Sequence, residues 1–411
     1  MTHHDVIVLG AGAAGLMCAL TAGRRGRRVL LLDHAAEAGA KILISGGGRC
    51  NFTNTGTAPD RFLSENPAFC RSALSRYTPD HFIALVRRHA IPFHEKTLGQ
   101  LFCDGSARAI VAMLLAECGA ARADVRLSHT ITGLSRADSF RIETDHGAFT
   151  ADSLVLATGG LSIPKLGATG FAHDAARRFG LRVTETRPGL VPLTFGDDLL
   201  TLTRPLAGVA LDTEIRHGRQ HFREAALFTH RGMSGPAILQ ISSFWKSGPI
   251  AVSLLPGRDA AAFLLDRKRA RPKAELRTVL AEVMPRRLAD VLAAGILTSD
   301  GVAPDGAAQD RMAARPSTAE TRMADLPDRH LRALAARLSA WNVTPTGTEG
   351  HAKAEVTTGG IDTRGLSSRT MGASAVPGLF VIGEAVDVTG WLGGYNFQWA
   401  WASGHCAGEA A

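Results

Sequence analysis

Six residues near the start of the chain, Gly10-Ala11-Gly12-Ala13-Ala14-Gly15, carry no reactive side chain, so their chemistry is that of bare backbone. Glycines at this spacing expose amides at the opening of a helix, where the dipole also favours an anion. Gly10 is expected to make a tight turn, Gly12 to let a pyrophosphate approach, and Gly15 to allow close strand–helix contact. Ala13 and Ala14 supply amides of the same cradle. Asp33, eighteen residues beyond Gly15, offers a carboxylate to the ribose hydroxyls of a dinucleotide.

A second run, Lys41-Ile42-Leu43-Ile44-Ser45-Gly46-Gly47-Gly48-Arg49-Cys50-Asn51-Phe52-Thr53-Asn54, resists assignment to a helix or strand interior, which glycine disfavours. It suits backbone wrapped around a cofactor, with amides turned to phosphate or flavin oxygens. Arg49 is expected to neutralise a pyrophosphate or orient an anionic substrate, while Asn51 and Asn54 donate and accept. Cys50 has no partner cysteine nearby and is expected to pack beside the cofactor. Thr158-Gly159-Gly160 ends an apolar run and presses a third turn to the same place.

The far end of the chain repeats the theme. Leu379-Phe380-Val381-Ile382 reads as a buried strand ending at Gly383, beside a pyrophosphate, and Glu384, within reach of a ribityl chain. Gly393-Gly394 then opens a helix at Tyr395-Asn396-Phe397, whose positive end suits negative charge at a flavin N1/O2 edge. Trp399 and Trp401 are expected to anchor that helix. A dinucleotide signature at one end and a glycine turn at the other indicate a nucleotide domain split by a long insertion. That favours a flavin enzyme over a simple nicotinamide dehydrogenase. Within the insertion, His230 and Arg231 are candidates to meet a substrate, and Arg49, His230 and Tyr395 are the candidate catalytic set.

These residues need elements to hold them. Strands are expected at 5–9 and 29–32 around a helix at 14–27, whose Ala14, Cys18 and Ala22 suit close packing on a sheet. Helices are expected at 79–90, 106–118 and 171–179, with strands at 125–127, around 140–150 and over 151–160, the last ending at a glycine turn. From about 191 to 255 short strands, including 208–215 and 249–255, alternate with turn signals, with a helix near 236–243. Residues 259–293 and 326–339 have helical spacing, 301–318 reads as a loop, and 341–356 as extended chain. The domains expected are a first nucleotide-binding part at 1–190, a β-rich insertion at 191–258 and a helical insertion at 259–339. A return at 340–355 and a second nucleotide-binding part at 356–411 complete them.

At 411 residues two or three domains are expected. A hydrophobic content of 45% against 20% charged indicates a globular rather than disordered chain. The net charge of +8 permits anionic partners without specifying one, and the arginines read as a solvated basic face. The run Arg267-Lys268-Arg269-Ala270-Arg271-Pro272-Lys273 is the best nucleic-acid candidate, though it lacks interleaved aromatics. Six cysteines without a CxxC pair suit a reducing compartment, and no apolar run has the length of a membrane span. A start leading directly into a strand completes the expectation of a cytoplasmic protein without membrane insertion.

With these motifs the chain resembles the BaiN/YhiN-like family of FAD-containing oxidoreductases, distantly similar to the fumarate reductase and glutathione reductase class. The resemblance is carried by GAGAAG at 10–15, KILISGGGRCNFTN at 41–54 and LATGG at 156–160. It continues in THRGMSGPAILQIS at 229–242, VTTGG at 356–360 and GEAVDVTGWLGGYNFQWAWASG at 383–404. It implies an α/β Rossmann-like FAD domain built from both chain ends, interrupted by a small β-barrel-like domain and a small helical one. It also implies a cofactor region of Gly10–Gly15, Asp33, Ser45–Asn51, Thr158–Gly160, Glu384 and Gly393–Phe397. The chain departs from the family at Leu98–Cys103, where a proline commonly follows the phenylalanine, and at Gly170-Phe171, where glycine–aspartate is usual. Both departures bear on loop shape or substrate preference.

The expected activity is hydride transfer through flavin N5 to a small organic acceptor, an enone-type double bond being one candidate. NAD(P)H is the expected transient reductant, although no second GxGxxG is present. No metal is expected, and monomer and homodimer both stay open. The other readings are a flavin-dependent oxidase of a small amine, and a flavin-bearing RNA-binding or regulatory protein using 267–273.

Overall fold

Val6–Leu9 and Val29–Leu32 have no exposed face, the pattern of parallel strands covered on both sides. In the computed structural model, which describes residues 2–296 and 321–411, they are the heart of a seven-stranded sheet. The chain divides into two compact units, residues 1–189 with 351–411, and residues 190–350.

In the first unit β1 (Thr2–Leu9) lies parallel between β2 (Val29–Leu32) and β10 (Gly147–Leu156). β7 (Asp124–Arg126) extends the sheet beyond β2, and β8 (Ile131–Arg136) and β9 (Phe140–Thr144) extend it antiparallel beyond β10. The last member comes from the other end of the chain. β20 (Leu379–Val381) joins β10 in parallel, Leu154 opposite Leu379 and Leu156 opposite Val381.

A smaller sheet of β3 (Asn51–Asn54), β5 (Phe93–Glu95) and β6 (Gln100–Cys103) flanks the first. Two further pairs tie the ends of the chain together. β4 (Phe62–Leu63) meets β21 (Thr389–Gly390), and β11 (Arg187–Gly189) meets β19 (Val356–Thr358).

Helices α1 (Ala13–Arg24), α2 (Ala40–Gly48), α3 (Cys70–Arg76), α4 (Pro79–Arg88), α5 (Arg108–Ala120) and α6 (Phe171–Arg178) belong to this unit. So does the last helix, Tyr395–Gly408. Its closest approach is to α1: a Cβ on Gly404 would lie 2.4 Å from Ala14 O, and one on Gly408 2.7 Å from Cys18 O. At Ala14 and Cys18, then, the small residues expected against the sheet serve a helix–helix seam. Trp399 and Trp401 are fully buried, their indole N–H groups donating to Gly383 O at 3.0 Å and Phe52 O at 2.8 Å. Trp401 stacks on Phe82 with centroids 4.3 Å apart. Truncating either tryptophan costs roughly 3–5 kcal/mol by the precedent of large core aromatics. The anchoring expected of them is what holds the helix.

The second unit is an antiparallel sheet made from seven short strands. They are β12 (Leu193–Thr194), β13 (Ala210–His217), β14 (Gln220–Phe228), β15 (Gly232–Ser234), β16 (Ile250–Ser253), β17 (Trp341–Val343) and β18 (Gly347–Thr348). The ladders run β17-β16-β13-β14-β15-β12-β18. Helices α7 (Asp197–Thr203), α8 (Pro236–Ser242), α9 (Ala260–Ala270), α10 (Leu276–Leu280), α11 (Arg286–Val291) and α12 (Asp328–Ser339) complete it; the final helix of the chain is α13. The β-rich and helical stretches expected as separate insertions share this unit. Leu254 N donates to Leu338 O at 2.8 Å, and α12 packs on β16, so the helices cover the sheet. The loop expected at 301–318 lies outside the described residues. Among the described residues no helix is long and apolar enough to cross a membrane.

Candidate functional site

The glycine turn between β1 and α1 is as tight as its spacing implies. Gly10 has φ +109°, and a Cβ there would lie 2.5 Å from Ala157 O; one on Gly15 would overlap Gly10 O at 1.9 Å. Gly12 is different: a Cβ there would meet nothing within 4 Å, so the amide end of α1 faces open space. No side chain caps that end. Asp33, at the end of β2, accepts from Ala11 N at 2.6 Å and Ala35 N at 2.8 Å, which fixes its carboxylate beside the turn.

The second glycine run is part helix, part coil. α2 is interrupted where Ser45 becomes extended and Gly46 and Gly47 turn left-handed, at φ +57° and +66°. Gly46 abuts the Phe102 ring, whereas Gly47 opens on space. Ser45 Oγ donates to Ile42 O at 2.8 Å, and Gly48 O accepts from Ala107 N at 2.8 Å. Arg49 is exposed, with no hydrogen-bond or ion-pair partner for its guanidinium among the described residues. Cys50 is wholly buried, and burial pushes its thiol up to about 12. A thiol so placed packs and does not react at neutral pH.

Lys41 and Glu384 meet across 343 positions of sequence, Nζ to Oε2 at 2.5 Å. Lys41 also donates to Ser162 Oγ at 2.5 Å, Ser162 donates to Glu384 Oε1 at 2.7 Å, and Thr357 N donates to the same oxygen at 3.0 Å. Burial alone would push the Glu384 carboxyl up. The Lys41 ammonium, with hydrogen bonds from Lys41, Ser162 and Thr357, more than offsets this and holds it below the usual carboxylate range.

Ser162 was not singled out from the sequence, nor were His173 and His351. Burial holds both imidazoles below their ordinary range while Glu384 pulls them back up, which puts both histidines within the field of that carboxylate. His173 Nε2 and His351 Nδ1 are buried without partners among the described residues. A single polar residue, in a loop or on a helix face, leaves no periodic signal, and only the fold gathers these three.

The two glycine-rich ends touch. A Cβ on Gly394, whose φ is +97°, would lie 2.5 Å from Thr53 O; Gly393 lies against the Gln100 side chain, and Asn51 against Gly394. Asn54 Nδ2 donates to Gly393 O at 2.8 Å. Asn396 uses its amide inside its own loop, accepting from Gly390 N at 2.8 Å and donating to Gly390 O at 2.9 Å and Trp391 O at 3.2 Å. Phe397 stacks on Trp401 at 5.7 Å, and Tyr395 meets Phe62 edge-on at 6.2 Å. His230 belongs to the second unit, exposed in the turn between β14 and β15 where Thr229 Oγ1 accepts from Gly232 N at 3.1 Å.

The basic run proves largely self-contained. Arg267 and Arg271 both pair with Glu282, Lys268 with Asp328 and Arg269 with Asp266. Its charge is mostly answered within the second unit.

A family model described as the HI0933-like protein Rossmann domain matches residues 4–410. The chain belongs to that family. Its members include flavin-dependent oxidoreductases, and the chain is an enzyme of that kind. A relative from Escherichia coli (strain K12), named ribosomal RNA dihydrouridine synthase, is 48% identical over 406 residues, covering 98% of this chain and 96% of its own. One of the same name from Haemophilus influenzae is 42% identical over 414 residues and 98% of each chain. The 3-dehydro-bile acid delta(4,6)-reductase of Clostridium scindens is 29% identical over 425 residues, again 98% of each.

The cofactor of this HI0933-like chain is FAD, and the residues fit it. Open space faces Gly12, Gly47 and Gly159, where phosphate or ring atoms could lie against backbone. Thr158 Oγ1, between the Gly10 turn and Gly159, is buried and has no partner among the described residues. A buried hydroxyl left unpaired costs stability, so an orphan in this position is what a bound polar ligand would relieve.

Proposed function

We propose that this chain reduces the C5–C6 double bond of a uridine in ribosomal RNA, using FAD and NAD(P)H. One observation carries the reading: 48% identity over nearly the whole length to a relative named for that reaction. The chemistry of the more distant relative supports it. A Δ4,6 bile-acid dienone and a uracil ring both present a carbon–carbon double bond conjugated to a carbonyl, the acceptor type expected from the sequence. The net charge of +8 suits a polyanion, whose phosphates dominate binding. The site of action proposed is the cytoplasm.

Bound FAD would supply a two-electron carrier able to take hydride from NAD(P)H and pass it on from N5. Gly10, Gly12, Ala13, Ala14 and Gly15 would hold its pyrophosphate, Asp33 its adenosine ribose, and Gly383 and Glu384, with Lys41, its ribityl side. Ser45–Asn51, Thr158–Gly160 and Gly393–Phe397 would bound the rings, with the amides of α13 stabilising negative charge at the pyrimidine edge. Arg49 would take a phosphate of the substrate. Saturating the C5–C6 bond adds a hydride at C6 and a proton at C5, and Tyr395, at the start of α13, is the proton-bearing group of this proposal.

The test is anaerobic incubation of holoenzyme with NADH or NADPH and in-vitro-transcribed ribosomal RNA, followed by nucleoside mass spectrometry. A gain of two hydrogens on uridine, dependent on FAD and reductant, is expected. RNA left unmodified while a steroid enone is reduced would sink the reading in favour of a small-molecule reductase. Peroxide formed from a small amine in air would favour an oxidase.

A further inference from the structure

Hydride must reach a pyrimidine through its face, and in a stacked helix both faces are covered. A uridine reduced within folded RNA therefore has to leave the stack. Something must take its place.

Two large apolar side chains are conspicuously exposed among the described residues, Leu98 at 64% and Ile44 at 48%. Leu98 sits at the tip of the β5–β6 hairpin with φ +52°, a left-handed conformation that disfavours a branched residue.

Hydrogen bonds frame the tip into the first unit's glycine loops. Asn54 Nδ2 donates both to Leu98 O at 3.1 Å and to Gly393 O at 2.8 Å. Two residues before Gly393, Trp391 N donates to Arg61 O at 3.0 Å, and the Arg61 guanidinium lies 4.4 Å from the centre of the Trp391 ring. Arg61 also faces Asp60 at 3.7 Å, a contact too long and too exposed to neutralise it. Two residues before Leu98, Lys96 is exposed, lies 5.5 Å over the Phe102 ring and has no carboxylate partner among the described residues. Cations paired with aromatic faces beside a protruding apolar residue match RNA in both charge and stacking.

We propose, building on the ribosomal RNA reading above, that this rim is an RNA-docking lip in which Leu98 fills the gap left by the extruded uridine. Arg61 and Lys96 bind the flanking phosphates.

The test compares wild type with Leu98→Ala and Leu98→Gly as FAD-loaded proteins. The glycine variant removes the side chain while suiting the left-handed backbone. Flavin absorbance and melting temperature check that both are folded. Substrates are a folded ribosomal RNA transcript and a short single-stranded oligouridylate. The variants should lower the ratio of kcat/KM on folded RNA to that on the single strand by about tenfold, the scale of an unstacking cost no longer offset.

A second readout stands independently. 2-Aminopurine placed beside the mapped uridine should brighten when wild type binds and stay dim with Leu98→Ala. An unchanged ratio, or equal brightening, overturns the lip while leaving the uridine reductase reading intact. If wild type forms no dihydrouridine and leaves the RNA stacked, both fall.

Discussion

Replacing Thr158 by valine should move two measurements in opposite directions. Its hydroxyl is buried beside the Gly10 turn without a partner among the described residues. In the apo protein the change removes an unsatisfied group at nearly constant shape, recovering about 1–3 kcal/mol of desolvation cost. For a domain of this size that is a rise in Tm of roughly 2–4 °C for each kcal/mol. If FAD supplies the missing partner, the same change removes a hydrogen bond of about 0.5–1.5 kcal/mol from the complex. Because the apo protein is also stabilised, the two effects add in the binding equilibrium. FAD affinity should fall by at least about tenfold. Differential scanning fluorimetry of stripped protein reads the first quantity, and titration of FAD by fluorescence quenching reads the second. A valine variant that melts lower without flavin, yet binds FAD as tightly as wild type, would refute the assignment of that hydroxyl to the cofactor.

Gly404→Val should force α13 away from Ala14 O, costing about 1–3 kcal/mol of overpacking and lowering Tm and flavin content together. Lys41→Met should cost about 1.5–3 kcal/mol, the scale of a charged hydrogen bond, read from urea midpoints at pH 7. In wild type the depressed Glu384 carboxyl contributes stability that is present above the ordinary carboxylate range and lost as pH falls through its lower folded value. Without Lys41, burial prevails, so the loss should begin at higher pH, and midpoints measured downward from pH 7 should show it. Cys50, with its thiol pushed up to about 12, should resist iodoacetamide at pH 8 in the folded protein and react only on unfolding; rapid labelling of the native protein would contradict its placement.

Much of the glycine-turn geometry was legible because its signal is local. Gly10 and Gly15 are demanded by one turn and one helix start, and a few adjacent letters suffice to announce them. The end of α1 was less legible. A helix to residue 27 was expected, but it stops at Arg24, with Gly26 left-handed at φ +82°. Ser162, His173 and His351 were invisible for another reason. Each is a single polar residue whose meaning comes from Glu384, a residue far along the chain. The basic run at 267–273 misled in the opposite sense: composition displays its charge, but Glu282 and Asp328, which answer it, are separated from it in sequence. Asn396 could have faced a ligand or its own loop, and spacing alone does not say which way an amide turns.

The seam between α1 and α13 has a consequence for how the molecule comes into being. Ala14 is synthesised almost four hundred residues before Gly404, which at about 5–20 residues per second is a delay of roughly 20–80 seconds. Through that interval the emerging first half has neither its last parallel strand nor the helix that covers α1. A nascent chain in that state presents an unpaired strand edge and a wet apolar flank, both open to chaperones or to a neighbouring copy.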